Sequence, residues 1–273
     1  MRKDAIEGTS GSVSSEEELR AALARGLTPI TLTGCFSING ADSLVVDYNA
    51  EIIGGGHILT RGDRFTRVLF TVTDGGSLTL RDVVVDGSRD TAGRTNSLIR
   101  LNGGTLRLEE WTVLQNNFAN SEGGGVYLNG GAATENHLFL TENAVIRHCE
   151  AGTAGGGIYA SFRNPDVPST LHLGGCCLIT GNRAALGGGV AVRHLPAGPG
   201  ASPGAGELTL VDKEGTYVPK KASSRMKRLV RKAGQATGLK VPEATMEWRN
   251  SASAYALKHG QQALHLAGMD GRK

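Results

Sequence analysis

The sequence predicts an all-β fold, a parallel β-helix, because short strand patterns recur at a nearly fixed spacing. The most regular pattern is a glycine triplet followed by an apolar strand. It occurs at Gly123–Leu128, Gly155–Ala160 and Gly187–Val192, and successive copies start 32 residues apart. A period of this length is typical of a solenoid, in which each repeat buries its apolar face only against its neighbours.

Two further patterns recur at about the same spacing as the glycine triplets. One is an alternating Leu-x-Leu, which marks a strand with one buried face. Its copies are Leu78/Leu80, Leu106/Leu108, Leu138/Leu140, Leu171/Leu173 and Leu208/Leu210. The other is a short apolar strand ahead of a polar corner, found in Val113–Asn117, Val145–Cys149 and Leu178–Asn182. Each repeat therefore holds three short strands and leaves no room for the crossover helices of an α/β fold.

The composition agrees with this fold class. The 273 residues include 40 Gly, and 39% are apolar while only 5% are aromatic. Glycine at this level without a collagen period suits a fold with several tight turns per coil. No apolar run reaches the about 18 residues that span a membrane. Residues 1–13 lack the apolar core of a secretory signal peptide, so neither a transmembrane segment nor a signal is predicted.

Residues 1–27 are predicted to form a loosely held polar segment followed by a capping helix. Ser15 and Glu18 have the spacing of a capping box, in which the side chain of each residue accepts a hydrogen bond from the backbone N–H of the other. Leu19 and Leu23 belong to an apolar stripe at helical spacing. Such a helix would cover the unpaired strand edges at the start of a β-helix that is predicted for residues 28–214.

Residues 215–273 form a basic tail. From Lys220 onward there are 12 Lys and Arg against 3 Asp and Glu, whereas the chain before it has 17 against 23. Apolar residues recur at helical spacing in two stretches, Met226–Ala233 and Ser251–Ala267. The favoured interpretation is a helical cap on the open end of the solenoid. The alternative is a pair of basic helices that contact an anionic surface, without specific nucleic-acid binding.

One charged cluster stands out as a candidate catalytic site. It consists of Arg81, Asp82, Asp86 and Arg89. If the chain bends near Arg81, Asp82 and Asp86 face outward while the valines on either side of Val84 face inward. Two carboxylates beside arginines could bind a cation and a sugar acid, or act as acid and base. The alternative is a solvated outer face with no catalytic role.

Two predicted loops carry candidate binding residues. Arg61, Gly62 and Asp63 lie in the predicted loop His57–Arg67. This Arg-Gly-Asp tripeptide can bind integrins when it sits on an exposed turn, although a glycine-rich chain also contains it by chance. The second predicted loop spans Gly87–Asn96, and its candidate binding residues are Asp90 and Arg94.

The four cysteines do not have the spacing of a metal site. They are Cys35, Cys149, Cys176 and Cys177. No Cys-x-x-Cys pair is present, and neighbouring cysteines on a strand point to opposite faces, which argues against a disulfide framework or a zinc site. The expected role is to fill interior positions as small apolar residues, and no metal site is predicted.

The repeats resemble a known family. The strings GGGVY, GGGIY and GGGVA, together with the corners LQNN and ITGN, are similar to the paired Gly-Gly-Ala-Ile and Phe-x-x-Asn motifs of chlamydial polymorphic outer membrane proteins. The resemblance covers about residues 106–192. It implies a right-handed β-helix that is exported and adhesin-like at the cell surface.

The opening of the chain resembles a second group. Ser14–Gly26 followed by Ile30–Gly34 is similar to the N-terminal cap and first strand of pectate-lyase-like enzymes. The catalytic signatures of that superfold, a paired Asp near an Asn-Thr-Asp run or a Gly-His-Gly, are missing from the sequence. The second resemblance therefore implies the fold without implying the enzyme activity.

These observations predict a non-catalytic, extracellular or cell-surface β-helix that presents loops to a glycan or to a host or cell-surface protein. The loops concerned are His57–Arg67, Gly87–Asn96 and Arg163–Ser169. No cofactor is expected for such a protein. The alternative is a polysaccharide lyase or glycoside hydrolase with its site on one outer sheet, and calcium would be the cofactor if it is a lyase.

Overall fold

The computed structural model describes residues 10–162, 169–174, 177–194 and 206–210. In chain order the elements are β1 (Gly11–Val13), α1 (Glu16–Ala24), β2 (Ile30–Leu32), β3 (Phe36–Ile38), β4 (Leu44–Val46), β5 (Asn49–Ile53), β6 (Ile58–Arg61), β7 (Phe70–Thr73), β8 (Ser77–Arg81), β9 (Val84–Asp86), α2 (Arg89–Ala92), β10 (Ile99–Asn102), β11 (Thr105–Glu109), β12 (Val113–Gln115), β13 (Phe118–Ala119), β14 (Val126–Leu128), β15 (His137–Leu140), β16 (Val145–Arg147), β17 (Glu150–Ala151), β18 (Ile158–Phe162), β19 (Ser169–Leu173), β20 (Leu178–Thr180), β21 (Val190–His194) and β22 (Gly206–Leu210).

The strands form a parallel β-solenoid with three long sheets, as the sequence predicts. Sheet I has eight strands in the order β1-β2-β5-β8-β11-β15-β19-β22. Sheet II has six strands, β3-β6-β9-β12-β16-β20, and sheet III has six, β4-β7-β10-β14-β18-β21. Each coil of the column therefore visits sheets I, II and III in turn. A short pair, β13-β17, lies between sheets II and III along the chain.

The two leucine columns are confirmed. Each leucine lies directly opposite the corresponding leucine of the next coil, so that the pairs stack in register through β8, β11, β15, β19 and β22. The side chains of Leu78, Leu106, Leu138 and Leu171 are fully buried. A third column, Val126, Ile158 and Val190, is in register on sheet III. Alternation with period two thus sends one set of side chains into the core at every strand.

The glycine triplets mark the closest approach between coils. The first glycine of each triplet has a positive φ, 66° at Gly155, which a side chain would strain. At the second and third positions the backbones of adjacent coils nearly touch. A Cβ at Gly156 would lie 2.5 Å from the carbonyl oxygen of Gly188, and one at Gly157 would lie 2.6 Å from that of Gly189. Glycine is therefore required by the stacking itself.

Helix α1 covers the start of the column and begins where the capping motif predicts. The backbone N–H of Glu18 donates to Ser15 Oγ at 3.2 Å. The reciprocal bond is shifted by one residue, because the Glu18 carboxylate accepts from the backbone N–H of Ser14 at 2.6 Å. The helix packs on β1, β3 and β4, and Leu19 and Leu23 are buried in the core. It therefore contacts the first strand of each long sheet.

The described end of the N-terminal segment, residues 10–13, is less loosely held than expected. Gly11–Val13 forms β1, which pairs in parallel with β2 and adds a strand to sheet I ahead of α1. The Val13 side chain is buried. Three residues containing a glycine are too few to show a strand pattern in the sequence. The predicted tail, residues 215–273, and most of the predicted loop Arg163–Ser169 lie outside the described residues.

The polar corners hold the coils together. Asn117 is buried, and its Nδ2 donates to the carbonyl oxygens of Asn96 and Gly124 at 2.9 and 2.6 Å. One coil further, Cys149 occupies the equivalent corner position, and its backbone N–H donates to Asn182 Oδ1 at 2.9 Å. These side chains satisfy backbone groups at the turns, as expected for a structural role.

The cysteines follow the sequence expectation in part. Cys149 and Cys177 are buried, whereas Cys35 is exposed at a corner, so the expected interior role does not hold there. Burial raises the pKa of the Cys149 thiol to about 12. That thiol stays protonated at neutral pH and is therefore inert. Cys176 lies outside the described residues.

Candidate functional site

The four residues of the predicted catalytic cluster are spread around a corner of the column. Arg81 is the last residue of β8 on sheet I, and Asp86 is the last residue of β9 on sheet II. Asp82 makes the turn between the two sheets, with a φ of 47°. The chain thus bends next to Arg81, as the sequence interpretation requires. Arg89 opens the short helix α2 beyond both sheets. The structure therefore divides the cluster between two faces.

The outward and inward assignment along β9 agrees with the sequence interpretation. Val83 and Val85 are fully buried, while Val84 and Asp86 lie on the outer face and are half-buried. The left-handed turn at Asp82 resets the alternation that Leu78 and Leu80 establish in β8. One residue in this conformation is enough to rotate the following strand onto the next face of the column.

Arg81 is the centre of an ion-pair cluster on sheet I. Its Nε lies 2.7 Å from Glu51 Oε1, its Nη2 lies 2.9 Å from Glu109 Oε2, and its Nη1 contacts Glu110 Oε1. Burial lowers the pKa of Arg81, but the three carboxylates outweigh this effect and raise the pKa overall. One guanidinium therefore organises three carboxylates from the two coils on either side of its own.

None of the three glutamates is among the residues predicted from the sequence, although a signal for Glu109 is present. Arg81 and Glu109 each follow the first leucine of their Leu-x-Leu pair by three residues. Aligning the pairs places the two residues opposite each other, which is the register found between β8 and β11. Opposite charges on facing strand positions are a common stabilising pair on a sheet.

An open groove of ≈ 500 Å³ runs over this cluster on the outer face of sheet I. Its polar floor includes Asn49, Ser77 and Thr79 from the neighbouring strands β5 and β8. Its charged lining is Glu51, Arg81, Arg107 and Glu109. The groove thus combines hydroxyl, amide, guanidinium and carboxylate groups on strands that cannot move independently. We call it the sheet I groove.

A stack of planar side chains continues the same face. Arg107, Phe139 and His172 lie directly opposite one another in β11, β15 and β19. The guanidinium carbon of Arg107 is 4.2 Å from the centre of the Phe139 ring, and the Phe139 and His172 ring centres are 5.2 Å apart. Burial, and then the nearby Arg107, lower the pKa of His172, so this imidazole is neutral at pH 7.

Asp86 accepts hydrogen bonds from neighbouring residues through both of its carboxylate oxygens. Its Oδ1 accepts from the backbone N–H of Ser88 at 2.8 Å, and its Oδ2 accepts from Gln115 Nε2 at 2.7 Å and Asn116 Nδ2 at 2.9 Å. Gln115 in turn accepts from Arg147 in the next coil at 2.9 and 2.7 Å. Both carboxylate oxygens are thus engaged in a ladder of polar contacts along sheet II.

The excursion between β9 and β10 carries the remaining charged candidates. Arg89 Nε is 3.7 Å from Asp90 Oδ1, and the Asp90 side chain is almost fully exposed. The guanidinium carbon of Arg94 lies 4.7 Å from the centre of the Phe118 ring. Such exposed pairs are weak and leave Asp90 and Arg94 at the surface.

The Arg-Gly-Asp tripeptide does not lie on an exposed loop. Arg61 ends strand β6 and is fully buried, Gly62 is buried, and Asp63 is exposed. The Arg61 guanidinium donates to four backbone carbonyls, those of Phe65, Arg67, Asn96 and Ser97. Burial lowers the pKa of Arg61 to about 10, so the side chain remains charged at neutral pH. An integrin-type contact, which needs the arginine at the surface, is not available in this arrangement.

Comparisons with known proteins do not place the chain in a family. No protein-family model and no curated protein matches it. Among solved structures, the chain is similar to one described as L. reuteri 53608 SRRP, with 17% sequence identity over 74% of this chain and 99% of that one, at a TM-score of 0.21. At that score the likeness adds nothing to the solenoid that the strand pairing already establishes.

The described residues contain neither a candidate membrane-spanning helix nor a candidate metal cluster. None of the described helices has both the length and the apolar character needed to cross a membrane. Within the described part of the chain, no three His, Cys, Asp or Glu side chains are grouped closely enough to hold a metal ion.

Proposed function

We propose that this chain is a non-catalytic binding protein of the cell surface or extracellular space, which holds a glycan or a cell-surface protein against its outer faces. The observation that supports the proposal is the sheet I groove, with its mutually paired charges on a rigid support. Sites of this kind recognise a ligand through a few well-placed polar groups.

The ion pairs and hydrogen bonds of the carboxylates favour binding over catalysis. General acid–base chemistry needs a carboxyl group within reach of the substrate and able to exchange a proton. Glu51, Glu109 and Glu110 instead face one guanidinium, and Asp86 accepts three hydrogen bonds from its own neighbourhood. Fixed donors and acceptors of this kind suit the hydroxyl groups of a sugar, which both donate and accept.

The groove differs from the presenting loops that the sequence suggests. It spans β5, β8 and β11, which is about 10 Å measured across two strand spacings. Strands in the middle of a parallel sheet are held on both sides, so their side chains need little reordering when a ligand binds. Of the three predicted loops, His57–Arg67 begins with strand β6 and only its second half is an excursion, whereas Gly87–Asn96 is an excursion that contains α2.

Filling the groove tests this proposal. Thr79→Tyr places a large side chain on the floor, at an outward strand position that accepts aromatic residues. The matched control is Thr71→Tyr, at an outward position of β7 on sheet III. Binding to an array of neutral and acidic glycans, followed by calorimetry on the best ligand, should fall at least tenfold for Thr79→Tyr and remain unchanged for Thr71→Tyr. Equal affinity in both variants would count against the groove.

The unmodified protein is used to test the lyase or hydrolase alternative. The chain is incubated with polygalacturonate, alginate and chondroitin, with and without calcium. A lyase produces an unsaturated product that absorbs in the ultraviolet, and a hydrolase produces new reducing ends without that absorbance. Cleavage that disappears in Asp86→Asn would overturn the binding proposal.

A further inference from the structure

Sheet II carries an unbroken row of outward aliphatic side chains, which we call the aliphatic row. Its members are Ile58, Val84, Val113, Val145 and Leu178, each directly opposite the next in β6, β9, β12, β16 and β20. Ile58 is 37% exposed and the other four are half-buried, and none of the five belongs to the buried core. A contiguous apolar strip on the outside of a sheet is a common sign of a contact surface.

Trp111 lies at one edge of this row. It precedes Val113 by two residues, at the corner between sheets I and II, and 66% of it is exposed. Its φ is 64°, a left-handed conformation that bulky residues rarely adopt. Asn143 has the same conformation one coil further, with a φ of 66°, so the conformation belongs to the corner. The exposed tryptophan itself is the informative feature, because tryptophans are frequent anchors of binding interfaces.

Acidic residues follow the same corner. Asp82, Glu110 and Glu142 occupy it in successive coils, with φ values of 47°, 42° and 48°. The backbone N–H of Asp82 donates to the carbonyl of Glu110, and that of Trp111 donates to the carbonyl of Glu142. The aliphatic row therefore has an acidic, aromatic border. Such a surface is complementary to a basic segment with one apolar face.

The chain itself contains a segment with these properties. Residues 220–233 hold seven Lys and Arg and no Asp or Glu. Met226, Leu229, Val230 and Ala233 within it have helical spacing, so a helix would present them on one side. Fourteen residues of helix are about 21 Å long, and the five members of the aliphatic row span about 19 Å at the strand spacing.

The last described strand ends beside this surface. Strand β22 ends at Leu210 on sheet I, and in every coil the chain passes from sheet I to sheet II. The carboxyl end of β22 therefore lies at the corner beside sheet II, near the Leu178 end of the row. Nine residues separate Leu210 from Lys220, and at full extension they reach about 30 Å. That length covers the whole row.

We propose that residues 220–233 dock on the aliphatic row and Trp111 of their own chain, with their basic side chains against Asp82, Glu110 and Glu142. The segment then lies along the side of the column, which differs from the cap over the last coil that the sequence favours for it. Because the contact is partly electrostatic, salt or an anionic competitor weakens it.

The full chain offers a direct reporter, because it has only two tryptophans, Trp111 and Trp248. In Trp248→Phe, fluorescence reports Trp111 alone. The docked segment should shift its emission to the blue at low salt and protect it from the neutral quencher acrylamide. High salt should then shift the emission to the red and raise the quenching constant several-fold. Emission and quenching that do not change with salt would overturn the proposal.

Charge reversal identifies the segment. In the Trp248→Phe background, reversing Lys227, Arg228, Arg231 and Lys232 to Glu should expose Trp111 at low salt. Reversing four basic residues outside the segment, Arg249, Lys258, Arg272 and Lys273, is the matched control and should leave it protected. Equal protection in both variants would refute docking by this segment. Protection that is lost on dilution of the parent protein would refute the intramolecular contact and indicate a second copy.

Discussion

At the scale of single residues, the clearest case is Arg61, the one charged side chain that is fully buried among the described residues. Its guanidinium joins two coils, since two of its acceptors, the carbonyls of Phe65 and Arg67, belong to its own excursion and the other two to residues 96 and 97. A buried charge is costly unless its donors are satisfied. Here four backbone carbonyl groups supply that environment, and the carbonyl of Asn96 is shared with Asn117 Nδ2.

We expect Arg61→Ala to destabilise the fold strongly. The substitution removes the side-chain donor of three carbonyl oxygens and one of the donors of a fourth. It also opens a cavity where the side chain lay, so the free energy of unfolding should fall by roughly 3 kcal/mol. Urea unfolding followed by circular dichroism measures it. The neighbouring Arg64 is exposed, and Arg64→Ala should change the value by less than about 0.5 kcal/mol. Similar losses in both variants would contradict the structural role.

The contacts of some of these residues could be predicted from the sequence and those of others could not, for a physical reason. Arg81 and Glu109 could be paired from their offsets to Leu78 and Leu106, because strand register carries that information. Arg61 could not be placed in the same way, since its acceptors at residues 96 and 97 depend on how a long excursion folds back. The exposed Trp111 gives no periodic signal at all.

At the scale of elements, the glycine triplets explain why some strands could be predicted. Each triplet combines a left-handed turn with two positions where the backbones of adjacent coils meet, so its sequence is restricted. Strand β6 escaped prediction because Arg61 occupies one of its two buried positions, where an apolar residue is expected. Helix α1 could be predicted because its capping residues are local.

A methyl group at the stacked glycines should be poorly tolerated. We expect Gly156→Ala to lower the free energy of unfolding by roughly 2–3 kcal/mol, because its Cβ would press on the backbone of the next coil, which cannot rotate away. Gly131→Ala is the control, since the nearest atom to its Cβ would be Asn129 Oδ1 at an ordinary 3.6 Å. Chemical unfolding compares the two. A neutral Gly156→Ala would show that the coils can separate slightly at no cost.

At the scale of the whole molecule, each coil contacts the coils before and after it, so the two ends of the column need separate closure. Helix α1 closes the start by packing on the first strands of all three long sheets. Leu19 is its most deeply buried side chain, with no exposed surface. Uncovered ends of this kind expose apolar side chains and unpaired strand edges, which favours association between molecules.

Lifting the helix from the column should therefore cause association. In Leu19→Asp, a charge that has no partner would occupy the contact with the core, and α1 should detach while the stacked coils persist. Analytical ultracentrifugation should then show concentration-dependent oligomers. Ala21→Asp adds the same charge on the exposed side of the helix and should keep the parent's association state. Oligomers in neither variant would show that α1 is dispensable as a cover.

The constant spacing of the glycine triplets has a consequence for how such a chain can change over generations. A gene duplication of residues 123–154 would insert one complete coil, because the unit starts and ends at equivalent points of the column. The new coil would meet the surfaces that its neighbours already present, and the molecule would grow by one strand spacing, about 4.8 Å. The length of the column could therefore evolve in steps of one coil, while the residues on each face change separately.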